Sequence, residues 1–154
     1  MVETQDAPST FESLDGALLA TLEVTINLTD EAEARKQAEL LFAEIGGFFS
    51  ASYLGLSMLY SLDFQIIEVK PGSWKFTAPV KLTLKKSWVF VKKTAIPIYL
   101  AVHTALGVPE DIGKVREYFK AVATQVTEHK QQAQPGIIKD VKCISPSDGG
   151  QGGT

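Results

Sequence analysis

Seven lysines (Lys70, Lys75, Lys81, Lys85, Lys86, Lys92 and Lys93) fall within 24 residues, and Trp88 and Phe90 stand between the last two pairs. Cations bracketing aromatic rings suit an anionic bilayer surface or a nucleic-acid backbone, because the ammonium groups meet the phosphates while the rings enter the apolar layer or stack. A solvated lysine face with Trp88 in the core would give the same spacing. Lysine lacks the rigid fork that reads base edges, and the second half of the chain holds only one arginine, Arg116, so sequence-specific nucleic-acid binding is not expected.

The rest of the chemistry-bearing inventory is thin. His103 stands one helical turn past Tyr99 and could serve as a general base or a pH switch, although a packed histidine fits equally. His129 falls at the end of a helical pattern, where a cation suits the helix dipole. Cys143, the single cysteine, neighbours Lys142, which would lower its pKa; packing is the plainer role. Asp63 and Glu68 lie five apart with nothing to bring them together. Phosphate loops, dinucleotide fingerprints, zinc-binding helices and nucleophile elbows are all missing from the sequence. The chain is therefore expected to be non-catalytic, with no cofactor and no metal.

Charge is divided along the chain. Residues 1–68 hold twelve acids and two bases, residues 69–154 six acids and thirteen bases, so balances of -10 and +7 make up the net -3. Such asymmetry points to a charged partner or to self-association. A second candidate contact is the run Gly47, Ala51, Gly55, small residues every four positions that would let another backbone come close. It lies in an uncharged stretch, Ile45 to Leu62, long enough to raise the question of a spanning helix. Four serines, three glycines and two tyrosines dilute that stretch, which reads better as a core or interface helix.

These residues must be positioned by elements that the periodicities predict. Leu22, Val24, Ile26 and Leu28 alternate with polar neighbours and predict a half-buried strand. Asp30 with Glu33 predicts a capped helix start. Its stripe is Ala34, Ala38, Leu41, Ile45 and Phe48, with a weak point or kink at Gly46-Gly47. A strand over 64–69, a type II turn at Lys70-Pro71-Gly72-Ser73 and a long strand with Trp74, Phe76, Ala78, Val80, Leu82 and Leu84 inward follow. Pro79 cannot donate to a ladder, so an edge or bulge is expected there. Ser87 would cap a helix bent at Pro97, with Val91, Ala95, Ile98, Val102 and Leu106 inward. Pro109-Glu110-Asp111 would open a last helix with Ile112, Val115, Phe119, Val122 and Val126 inward, and 137–144 would add a strand.

The predicted order, β-α-β-β-α-α-β, is an α+β fold with an antiparallel sheet covered by helices on one face. It resembles the ferredoxin-like plan with an added helix. Residues 16–144 form the single domain, flanked by an acidic, disordered leader (1–15) and a Gly/Ser tail (145–154). Without a signal peptide, and with one cysteine, the chain is expected in the cytoplasm. The leading functional expectation is an interaction or self-assembly module. It would use the basic strand and helix face and the small-residue stripe, its partner being a second copy or an acidic protein. A peripheral binder of anionic membrane or another polyanion through Lys70–Lys93 is the alternative, and a small-molecule pocket near His103 and Tyr99 the third.

Overall fold

The computed structural model describes residues 14–108 and 112–146. In chain order the elements are β1 (Leu18–Ile26), α1 (Glu31–Ser52), α2 (Leu54–Leu59), β2 (Tyr60–Phe64), β3 (Glu68–Lys70), β4 (Trp74–Leu84), α3 (Lys86–Thr94), α4 (Ile96–Ala105), α5 (Ile112–Ala133) and β5 (Ile138–Ile144). All pairings are antiparallel, and the strands lie in the order β2-β4-β1-β5, with β3 beside the first part of β4. Because β4 lies between β1 and β2, the fold is the split β-α-β arrangement of a ferredoxin-like sheet. The long helices α1 and α5 contact one another and the sheet. The expected α+β class therefore holds, with the helical segments more broken than periodicity implied.

The alternation in β1 and β4 decides which face is dry. Leu22, Val24 and Ile26 of β1, and Phe76, Ala78, Val80, Leu82 and Leu84 of β4, are buried beneath the helices. Asp30 caps α1 as its spacing predicts, its carboxylate accepting from the Glu33 N–H at 3.0 Å. The helix then runs unbroken past Gly46-Gly47 to Ser52, and the short α2 follows after Tyr53. Gly46 has a packing reason, since a Cβ there would lie 3.2 Å from the Phe64 ring. The predicted stripe drifts by one residue at its end, with Phe49 buried and Phe48 43% exposed.

Two predicted features of the β4 region hold in instructive form. Gly72 takes φ +111°, the positive value required at the third position of the Pro71-Gly72 turn. Pro79 sits in a central strand, where proline is normally excluded. The neighbouring edge makes it tolerable. Leu82 exchanges both backbone bonds with Gly16 and Ala17 on the β1 side, so odd-numbered residues of β4 address the β2/β3 side. There β2 ends opposite Val80 and β3 resumes opposite Thr77, leaving Pro79 facing a gap in the ladder.

The helical segment after β4 differs from expectation. Lys85, not Ser87, is the N-cap of α3, and the chain breaks at Ala95 (φ -145°, ψ 65°) rather than bending at Pro97. Pro97 falls in the first turn of α4, where its missing donor has no helical partner to lose. The inward residues of α4 are Tyr99 and His103; Ile98, expected inward, is 58% exposed. Pro109-Glu110-Asp111 lies outside the described residues, whereas Leu14 and Asp15, assigned above to the leader, belong to the fold. Leu14 is fully buried and the Asp15 carboxylate accepts from the Leu84 N–H at 2.9 Å.

Candidate functional site

The sheet lysines are interleaved with acids. Lys75 pairs with Glu23 at 3.2 Å and Lys70 with Glu68 at 3.8 Å. The register sets Lys81 opposite Asp63 and Lys142 opposite Glu23. On the solvent face of an antiparallel sheet such cross-strand neighbours attract each other. Lys75 and Lys81 thus neighbour acids of other strands, and Lys70 an acid of its own strand, β3.

The remaining lysines belong to a different surface. The start of β2 pairs with the end of β4, and α2 runs into Tyr60 just as α3 leaves Lys85, so α2, α3 and α4 gather at one end of the sheet. Two contacts fix them there. Gly55 of α2 lies so close to the Leu106 carbonyl after α4 that a Cβ would collide with it. Tyr60 binds both inward residues of α4, with its hydroxyl 2.6 Å from that of Tyr99 and 2.9 Å from His103 Nε2. Burial first, and then the Tyr99 hydrogen bond, hold the Tyr60 hydroxyl protonated well above the ordinary phenol range. His103 is 1% exposed and packs edge-on against both rings, so it braces the cap rather than facing solvent as a base.

This helical cap is apolar outside as well as inside. Of the nine strongly exposed large hydrophobic residues among those described, five belong to it: Leu54, Met58, Phe90, Ile96 and Ile98. Phe90 is 68% exposed and α3 has no buried residue at all. Around these stand Lys85, Lys86 and Lys93, all exposed, while Lys92 is held by Asp15 at 3.8 Å and lies over the Tyr99 ring. No aspartate or glutamate occurs over residues 84–108, nor over 45–62. Trp88 is half-buried and packs against the core, so Phe90 is the aromatic residue that the lysine pairs present to solvent.

The small-residue stripe is divided between two roles. Gly55 serves the internal contact with Leu106, whereas Gly47 and Ala51 are exposed, with open space beyond Gly47. Gly47 lies along a groove between α1 and the outer edge of β2. One part, about 430 Å³, is lined by Phe42, Ala43, Gly46, Ser50, Ser61 and Lys85 among others. Its continuation, about 560 Å³, reaches Arg35, Glu39 and Asp63.

Cys143 lies half-buried on β5, and burial raises its pKa against a smaller lowering influence of Lys120. It is a packed thiol rather than an activated one. Lys142, its sequence neighbour, falls on the opposite face of the strand. Among the described residues no helix is long and apolar enough to cross a membrane. No family model, curated protein or solved structure matches this chain.

Proposed function

We propose that this chain is a non-catalytic peripheral membrane module that docks on anionic lipid through the α2-α3-α4 cap. The observation that carries this reading is the coincidence, at one end of the sheet, of exposed apolar side chains with exposed lysines in an acid-free segment. Neither component is sufficient alone. Each lysine near an anionic surface contributes about 1 kcal/mol, and each large apolar side chain buried in the interface roughly 1.5–3 kcal/mol. Stable attachment takes two such signals together, because a single weak anchor gives only reversible binding. Phe90, Ile96 and Ile98 supply the first; Lys85, Lys86 and Lys93 supply the second.

A cytoplasmic setting would supply the partner, since the cytoplasmic leaflet carries the anionic lipids. Pairing of the sheet lysines with acids leaves the cap as the preferred contact and gives the molecule a single orientation on the bilayer.

Vesicle flotation tests the proposal. The protein should float with vesicles containing phosphatidylserine and remain unbound with neutral ones. Phe90→Ser/Ile98→Ser and Lys86→Glu/Lys93→Glu should each reduce recovery by about tenfold or more, the second effect shrinking at high salt. Equal recovery with both lipid compositions, or undiminished recovery of both variants, would refute it.

A further inference from the structure

We infer that two copies of this chain pair through the free edge of β2, in an antiparallel two-fold arrangement centred on Leu62. This goes beyond membrane docking and uses the β2 edge, which shares Lys85 with the cap.

Among the described residues no strand pairs with the outer edge of β2. The Leu59 carbonyl accepts from the Lys85 N–H, and alternation from there turns the backbone groups of Ser61 and Asp63 toward β4. The N–H and C=O groups of Tyr60, Leu62 and Phe64 therefore face away from the sheet. Unpaired strand edges template pairing with another chain unless they are covered or charged. The opposite edge, β5, is guarded by Lys139, Asp140 and Lys142; β2 has one charge, Asp63, across from Lys81.

The flank beside this edge is shaped to admit a second molecule. Ala43, Gly46, Gly47 and Ser50 of α1 line the groove and carry almost no side-chain bulk. The helix of a partner could approach there once the strands have joined. Small residues alone would say nothing about the occupant; the ends of the groove do.

Lys85 is the one charged residue at one end, whereas the other end holds Glu39 and Asp63 with Arg35. A two-fold axis through Leu62 sets Tyr60 opposite Phe64 of the second copy and Ser61 opposite its Asp63. Because Lys85 neighbours Ser61, the basic end of each groove then meets the acidic end of the other. An antiparallel second copy satisfies this charge pattern at both ends at once. It also joins the two sheets into one.

Gly47→Arg gives a discriminating test. A Cβ at Gly47 meets nothing within 4 Å in the monomer, and removal of a helix-interior glycine favours the helix. The variant should remain as thermally stable as the parent or more so, while filling the groove. Sedimentation equilibrium without lipid should show a concentration-dependent dimer for the parent. The dissociation constant should rise at least tenfold for Gly47→Arg, and several-fold for Lys85→Glu at low salt.

Leu62→Cys with Cys143→Ser checks the register. Paired residues at the axis lie about 5.5 Å apart at Cα, within disulfide reach, so mild oxidation should yield a covalent dimer. A parent chain that sediments as a monomer at all concentrations would overturn the inference. So would a Gly47→Arg variant that dimerises as tightly as the parent, or a Leu62→Cys variant that does not cross-link. The vesicle reading stands or falls separately, because these measurements contain no lipid.

Discussion

The residues that matter most at close range are those that hold the cap. Tyr60 joins β2 to α4 through Tyr99 and His103, in a buried setting where an unmatched polar group costs about 1–3 kcal/mol. Tyr60→Phe is expected to lose roughly that much stability in urea denaturation and to loosen α4 first, as amide exchange there would report. Its ionisation also has a signed consequence. The folded state holds the Tyr60 proton above the ordinary phenol range, so its contribution is complete below about pH 10 and falls at higher pH by about 1.4 kcal/mol per unit. Stability measured from pH 9 to 11 should show this alkaline limb in the parent and a shallower one in Tyr60→Phe. Gly55→Ala should destabilise by about 1–3 kcal/mol, since the obstructing atom is the Leu106 backbone carbonyl, which cannot swing aside. A denaturation midpoint unchanged by Gly55→Ala would remove the α2-α4 contact from the account.

At the scale of elements, strands were more legible in the sequence than helices. Alternation in β1 and β4 identified the buried face because a strand's side-chain period is fixed by the pleat. Pro71-Gly72 located the turn through a conformation that only glycine accepts readily. The edge partner of β4 was misplaced: Tyr60–Leu62 read as helix, and pairing with Leu82–Leu84 draws it into β2. The α3-α4 segment misled for a different reason. Its residues are so uniformly apolar that several stripes fit, and Tyr99 and His103 rather than Ile98 turned inward because Tyr60 offers them hydrogen bonds. That same excess of apolar residues leaves Phe90, Ile96 and Ile98 outside. Lysine clustering was visible from the start; the pairing of Lys75 with Glu23 was not, because β1 and β4 are distant in sequence. Charge reversal should expose the division. Lys75→Glu should leave vesicle recovery within about twofold of the parent, whereas Lys86→Glu/Lys93→Glu abolishes most of it.

For the whole molecule, the acid-free cap and the acidic first turn of α1 lie at opposite ends. β1 ends beside Trp74 and Ile138, so the acidic first turn of α1 (Glu31 and Glu33) lies at the end opposite the cap. The 22 residues of α1 span about 33 Å between those ends. An anionic bilayer would attract the cap and repel the first turn of α1, which orients the molecule as well as holding it. The two tryptophans mark these ends. Trp74 donates to the Thr29 carbonyl near the start of α1, and Trp88 lies in α3. Quenching by brominated lipid in phosphatidylserine vesicles therefore tests the docked orientation most directly, using Trp74→Phe and Trp88→Phe to leave one reporter each. Docking through the cap should give strong quenching of Trp88 and little of Trp74; equal quenching of both, or quenching of Trp74 alone, would refute that orientation.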